Sequence, residues 1–460
     1  MSYESKGAAP VRSRVGFSSW WMVSVLFALY VFSWLDRLII SMLVEPIKLD
    51  LALTDFQMSL LLGPAFAVFY ALFGLPLGWA VDRWPRRWIV FFGVTVWGLA
   101  TAACGLAQSF EGLLVARVMV GVGEACLIPA AYSLLADEFP RDRLTAAAST
   151  FQMGGKVGSA AAFGLGAVAI TYAESLHARG ISWSLLGDLE AWQRVMVMVG
   201  LPGVVLAALV FTFREPPRRG VAVANGGDEG LLRIFLRANW RLIGLMLVCF
   251  SALALCGYSL TSWVPTYLSR HFGWAPMQYG PALSVMNIAS AVWLVVNGRI
   301  VDRLFGRGMK DAHMRFYSWL MYLLAPAVVL LFVVSDPWVF LGLYCLVQFI
   351  TVPFMVYVSS IIALLAPNAI RGQLIAMFLF VFTTLGMGAG PALVGALTDF
   401  VFKDEARLGT SLMIVIVSCF AIALVAMRLS LRYLGPSILR AETAIADPGR
   451  QCRSPKIPKT

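Results

Sequence analysis

Apolar residues run along this chain in long blocks, and polar residues gather in the short stretches between them. Twelve blocks stand out, at approximately 17 to 44, 56 to 80, 87 to 108, 112 to 136, 145 to 172, 192 to 213, 240 to 266, 277 to 301, 314 to 334, 337 to 364, 371 to 398 and 408 to 434. A helix rises about 1.5 Å per residue and a bilayer core is about 30 Å thick, so each block is long enough to cross it. Lipid offers no partner to backbone N–H and C=O groups, which a helix satisfies internally. The pattern therefore predicts an all-α membrane protein of twelve transmembrane helices. The longest internal polar connection, Arg214 to Asn239, divides it. The expected organisation is an N-terminal segment 1–16, a six-helix half 17–213, a linker 214–239, a second six-helix half 240–434 and a tail 435–460, the tail with little order.

A repeat supports this division. Gly78-Trp-Ala-Val-Asp82-Arg83 and Gly298-Arg-Ile-Val-Asp302-Arg303 follow the second helix of each half, and Arg87 and Arg307 extend the match at the same offset of 220. A weaker match sets Pro140 and Arg143 opposite Pro367 and Arg371, each before the fifth helix of its half. Two landmarks in one order imply two related, pseudo-symmetric halves.

Composition agrees: 60% of residues are hydrophobic, 13% are charged, and the mean hydropathy is +0.79. A soluble chain carries about 25% charge. The net charge of +11 comes from basic residues spread over short loops. That distribution follows the positive-inside rule, not a nucleic-acid footprint, and places both termini in the cytoplasm. Lys6, Arg12 and Arg14 precede an apolar stretch of about 28 residues, longer than a signal-peptide core, so the first helix is expected to stay in the membrane. The seven cysteines lack metal-ligand spacing, and His177, His271 and His313 fall in or beside loops. Without a Gly-x-x-x-x-Gly-Lys-Ser/Thr loop the chain is not read as an ATPase, and without a metal site or nucleophile constellation a lipid-modifying membrane enzyme or a lipid receptor is the less favoured alternative to a transporter. No cofactor is expected beyond an ion gradient.

Charges inside the blocks are the informative exceptions, because each costs several kcal/mol in hydrocarbon. Asp36 and Arg37 lie about 12 and 10 Å from the outer end of the first helix, Arg117 and Glu124 about 8 and 18 Å from the same side on the fourth. Arg117 and Glu124 are seven residues apart and share a face, with Gly121 and Gly123 between them allowing a close neighbour. Arg37 can choose between Asp36 and Glu124, an exchange that would couple proton binding to shape. The alternative is a static ion network. Lys156 follows Gly154-Gly155 about 16 Å from the cytoplasmic end of the fifth helix. It suits a phosphate or carboxylate head group, a pairing with Glu124, or snorkelling through a wet cavity. Tyr258, Thr261, Asn287, Gln348 and Thr383 are further cavity candidates, and Gly388-x-Gly390-Pro391-x-x-x-Gly395 marks a bend in the eleventh helix.

The repeated Gly-x-x-x-Asp-Arg signature resembles that of the major facilitator superfamily across nearly the whole chain. The resemblance implies the two-half transporter fold and makes Gly78, Asp82, Arg83, Arg87, Gly298, Asp302 and Arg303 a conformational latch. Trp34-Leu-Asp36-Arg37, Arg117-x-x-x-Gly121-x-Gly123-Glu124-Ala125 and Ala136-Asp137-Glu138-Phe139 resemble the spinster family of lipid transporters. That likeness implies protonation at Asp36 and Glu124, gating by Arg37 with Arg117 as its charge partner, and a lysolipid or sphingosine-1-phosphate-like cargo. It also implies a monomer in a bacterial inner membrane. Organic anion and cation symporters share the Asp-Arg pair and the Gly-Glu-Ala-like segment, so an organic anion or drug stays open as the alternative cargo.

Overall fold

The computed structural model describes residues 16–180, 188–218 and 228–446. Twelve helices cross the molecule: α1 Phe17–Met42, α2 Asp55–Arg83, α3 Arg86–Cys104, α4 Phe110–Glu138, α5 Arg141–Ala178, α6 Ala191–Thr212, α7 Asp228–Phe272, α8 Pro276–Gly306, α9 Ala312–Leu330, α10 Pro337–Leu365, α11 Ile370–Phe402 and α12 Leu408–Ala446. A short helix, Val44–Leu51, joins α1 to α2. There is no strand among the described residues. Among the described residues, eleven spans are long and apolar enough to cross a membrane. The remaining helix, α9, has 19 residues and carries His313 and Arg315 near its start, which lowers its hydropathy.

Local chemistry sets the ends. Thr54 and Gln57 form a capping box at α2, Ser109 accepts from Gly112 N at 3.2 Å to start α4, and Asp336 accepts from Trp338 and Val339, each at 2.9 Å, to start α10. Pro140 and Pro367 occupy the same position, just before the fifth helix of each half. Two boundaries differ from expectation. α7 begins inside the expected linker and bends at Asn239, whose φ of −120° and ψ of 17° leave the helical region. α12 continues past Gly435 to Ala446, because Leu434 and Ser437 are buried and hold the extra turns against the bundle. The segments 1–15 and 447–460 lie outside the described residues.

The expected bend in α11 is a widened, π-helical turn over Thr383–Ala389, after which Gly390 and Pro391 restart the α-helix. Proline has no N–H to give, and a π turn absorbs the mismatch.

The two halves meet unevenly. Far from the termini, Gly63 of α2 lies so close to α11 that an added Cβ would sit 2.4 Å from Met387 O, and one on Gly280 of α8 would sit 2.6 Å from Phe163 O of α5. One apolar core runs through this region, joining Leu38, Leu61 and Phe163 to Phe250, Tyr279 and Phe340 of the other half. The terminal side of the first half has a separate core around Leu26, Trp97 and Phe151. On that side Gly74 and Gly78 of α2 and Gly298 and Gly306 of α8 face open space. The bundle is closed on the far side and parted on the terminal side.

Candidate functional site

Of the five charges singled out in the first-half spans, four are buried together. Asp36 is 0% exposed, Arg117 and Glu124 1%, and the Arg37 side chain 11%. Helix α4 can reach α2 and α3 because of its glycines: a Cβ on Gly121 would lie 2.6 Å from Phe66 O, and one on Gly123 2.8 Å from Gly93 O and Trp97 N.

Arg37 pairs with Glu124, not with its sequence neighbour Asp36. Its guanidinium lies over three rings, at 4.4 Å from the centroid of Phe66, 5.0 Å from Trp34 and 5.3 Å from Tyr70. Such contacts help hold a desolvated cation. Glu124 also accepts from Ser33 Oγ at 2.9 Å. Asp36 instead accepts from Thr101 Oγ1 of α3 at 2.8 Å. Arg117 donates through Nε to Leu61 O at 3.4 Å and forms no ion pair with Asp36 or Glu124 among the described residues. All four charged groups therefore keep a buried atom without a hydrogen-bond partner: Asp36 Oδ1, Arg37 Nε, Arg117 Nη2 and Glu124 Oε1. A buried network left partly unsatisfied is costly, so its persistence points to function.

Lys156 stands apart from this cluster. It is half-buried on α5 and has no ion pair or hydrogen bond among the described residues; Glu124 is already taken by Arg37. The second-half candidates are held in neutral bonds. Gln348 Oε1 accepts from Ser290 Oγ at 2.8 Å, Asn287 Nδ2 donates to Leu283 O at 2.9 Å, and Thr261 Oγ1 donates to Gly257 O at 2.8 Å. Tyr258 packs between the two apolar cores and lies near Arg37. Thr383 begins the π turn of α11.

The repeated signature is loose in this conformation. Asp82 and Arg83 are exposed, Arg83 stacks at 4.1 Å on Trp79, and Asp302 and Arg303 are exposed on α8. Arg87 donates to Phe213 O at 2.8 Å. The firmest residue of the loop is Arg86, which the repeat does not single out because Gly306 stands at its offset. Fully buried, it donates to Asp137, Ser133 O at 3.1 Å, Ser133 Oγ at 3.0 Å, Glu215 Oε1 at 3.2 Å and Pro216 O at 2.8 Å. It ties α3 to the end of α4 and the start of the linker.

Sequence reasoning also missed the far-side closure. Arg270 at the end of α7 donates to both oxygens of Asp55, at 2.7 and 2.8 Å, and to Glu45 at 2.6 Å, while Lys48 bonds Asp55 at 2.5 Å and Glu405 at 2.9 Å. Phe56 N donates to Asp399 of α11 at 2.6 Å. These residues read as loop charges; apart from Lys48 with Asp55, the partners are over 200 positions apart in sequence, and no local pattern announces them.

Comparison with known proteins agrees with this architecture. The sequence profile of the Major Facilitator Superfamily matches residues 26–391. The chain belongs to the major facilitator superfamily. It is a transporter, not an enzyme. It is 29% identical over 412 residues to an MFS-type efflux pump of Mycolicibacterium smegmatis, covering 86% of this chain and 89% of that one. It is 24% identical to a D-galactonate transporter of Escherichia coli over 62% of this chain and 67% of that one. Protein spinster homolog 1 of Xenopus tropicalis is 29% identical over 54% of this chain, but the match spans only 45% of that protein. Among solved structures, a bacterial homologue of the human lysosomal transporter spinster, inward-facing and unoccupied, superposes with a TM-score of 0.73 at 23% identity, covering 98% of this chain and all of the other.

Proposed function

We propose that this transporter moves a single-chain amphiphile, resembling a lysolipid or sphingosine-1-phosphate, by proton-coupled alternating access. The observation that carries the reading is the choice made by Arg37: it bonds Glu124 while Asp36, beside it in sequence, is held only by a hydroxyl. Two buried carboxyls within reach of one arginine form a switch. A proton on Glu124 would release Arg37, and a ligand or Asp36 could then receive it. With both termini in the cytoplasm, the parted side is the inward one, and the likeness to the inward-facing spinster homologue supports that orientation. Reaching the outward-open state then requires breaking Arg270–Asp55 and Lys48–Glu405 on the far side and engaging the signature loops on the inner side.

The test is flux in proteoliposomes under an imposed pH gradient, with labelled lysolipid, sphingosine-1-phosphate and glucuronate as cargo. Asp36→Asn and Glu124→Gln should each lose the response to the gradient while keeping the fold, checked by thermal stability in detergent. An unchanged response in both variants defeats the coupling scheme. The second reading, a small organic anion, is favoured by the similarity to the D-galactonate transporter and to the hexuronate transporter of Bacillus subtilis, the latter at 24% identity. Gradient-driven glucuronate uptake without lipid movement would establish it.

A further inference from the structure

Lys156 is the charge that the proton switch does not use. It shares a helix face with Phe163 and Ala167, seven and eleven residues further along α5, which is close to two and three full turns. Phe163 and Ala167 are the residues that meet Gly280 of α8, and Gly164 beside them meets Ser284. The opposite side of α5, through Gly154, Gly155 and Gly158, is occupied by Phe27, Tyr30, Val31 and Trp34 of α1. Lys156 therefore points toward the other half, about 10 Å nearer the parted side than the approach of Phe163 to Gly280.

The groups opposite it have no charge. α5 and α8 run antiparallel, so the next positions along the contact face of α8 are Asn287, Ala291 and Val295. Asn287 is buried and bonded within its own helix, and Val295 is 55% exposed. On α5 itself, Met153 is 54% exposed one turn toward the terminal side. An ammonium inside a membrane is normally matched by a carboxylate or by backbone carbonyls. This one is matched by neither among the described residues, and apolar surface continues from it toward the opening.

We propose that Lys156 receives the anionic head group of the cargo, with the apolar chain lying over Met153 and Val295 toward the parted side. The proposal rests on the amphiphile reading above and deepens it: the cargo class is a single-chain lipid with a phosphomonoester or carboxylate head, not a phosphocholine or neutral one. A lysine supplies a compact charge with rotatable donors, suited to a tetrahedral phosphate that turns as the halves rock.

The experiment measures binding to the purified full chain in detergent, with three probes: oleoyl lysophosphatidate, oleoyl lysophosphatidylcholine and glucuronate. The wild type should prefer lysophosphatidate to lysophosphatidylcholine by about tenfold or more, the effect expected of one charge-assisted contact. Lys156→Gln should remove that preference while leaving lysophosphatidylcholine binding and thermal stability unchanged, and Lys156→Arg should restore most of it. A full preference retained by Lys156→Gln overturns the assignment, even if proton-driven lipid transport is intact. Lys156-dependent binding of glucuronate with no binding of either lipid overturns the amphiphile reading and leaves Lys156 as the anion receptor.

Discussion

The two halves share one fold and differ in what they bury. The first half carries Asp36, Arg37, Arg117, Glu124 and Lys156 within its spans, and the first four keep a buried side-chain atom without a hydrogen-bond partner. The interior of the second half is joined by neutral bonds: Ser290 to Gln348, Tyr357 to Asn297, Thr398 to Ser411 at 2.8 Å, and the Trp263 indole to Pro391 O at 3.1 Å. A neutral bond between two fixed groups has one low-energy arrangement. A set of charges in which both donors and acceptors keep unpartnered atoms offers several alternative pairings. The architecture is duplicated, whereas the unpartnered buried charge is concentrated on one side of the duplication.

Four measurements can break or sharpen that contrast. The largest effect is expected at Glu124: Glu124→Gln should abolish gradient-driven flux, because Arg37 loses its ionic partner. Next, Arg86→Ala should destabilise the protein by about 3–5 kcal/mol, as it removes a fully buried guanidinium together with its ion pairs to Asp137 and Glu215. Arg307→Ala, in the exposed second copy of the loop, should stay within about 0.5 kcal/mol. Equal losses from the two arginines, read as thermal stability, would refute the asymmetry of the signature. Smaller is the effect of Gly121→Ala, about 1–3 kcal/mol, since its methyl would meet Phe66 O. Gly78→Ala meets nothing in this conformation and should be tolerated when the protein is held open toward the terminal side. Smallest is Gln348→Ala, about 1 kcal/mol for one neutral bond, with the pH response of transport preserved. A lost pH response there would place part of the switch in the second half.

Much of the fold is legible in the chain because a membrane simplifies the problem. Apolar blocks had to be helices, and α1 to α12 fall within a few residues of the expected spans apart from the longer ends of α5, α7 and α12. The Pro140 and Pro367 match was readable because proline before a helix has a local cause. Gly121 and Gly123 were likewise readable as sites of close approach. Thr101 and Ser33, by contrast, are small polar residues of a kind common in such helices, and nothing local marks them as the partners of Asp36 and Glu124. Arg86 was hidden among neighbouring arginines, and its burial depends on α4 and the linker arriving from elsewhere.

The sequence by itself determined the solvent, the number and order of the helices, the duplication and the presence of buried charge, because each follows from composition or from spacing along one helix. Tertiary structure alone decided the pairings: Arg37 with Glu124, Asp36 with Thr101, Arg270 with Asp55, and the separation of Lys156 from every carboxylate among the described residues. Only the arrangement of the bundle shows that Asp82, Arg83, Asp302 and Arg303 of the signature loops are exposed. The physical reason is range. Hydropathy acts on each segment separately, whereas the choice of a counter-ion depends on distances of a few ångströms between helices whose relative placement no single segment encodes.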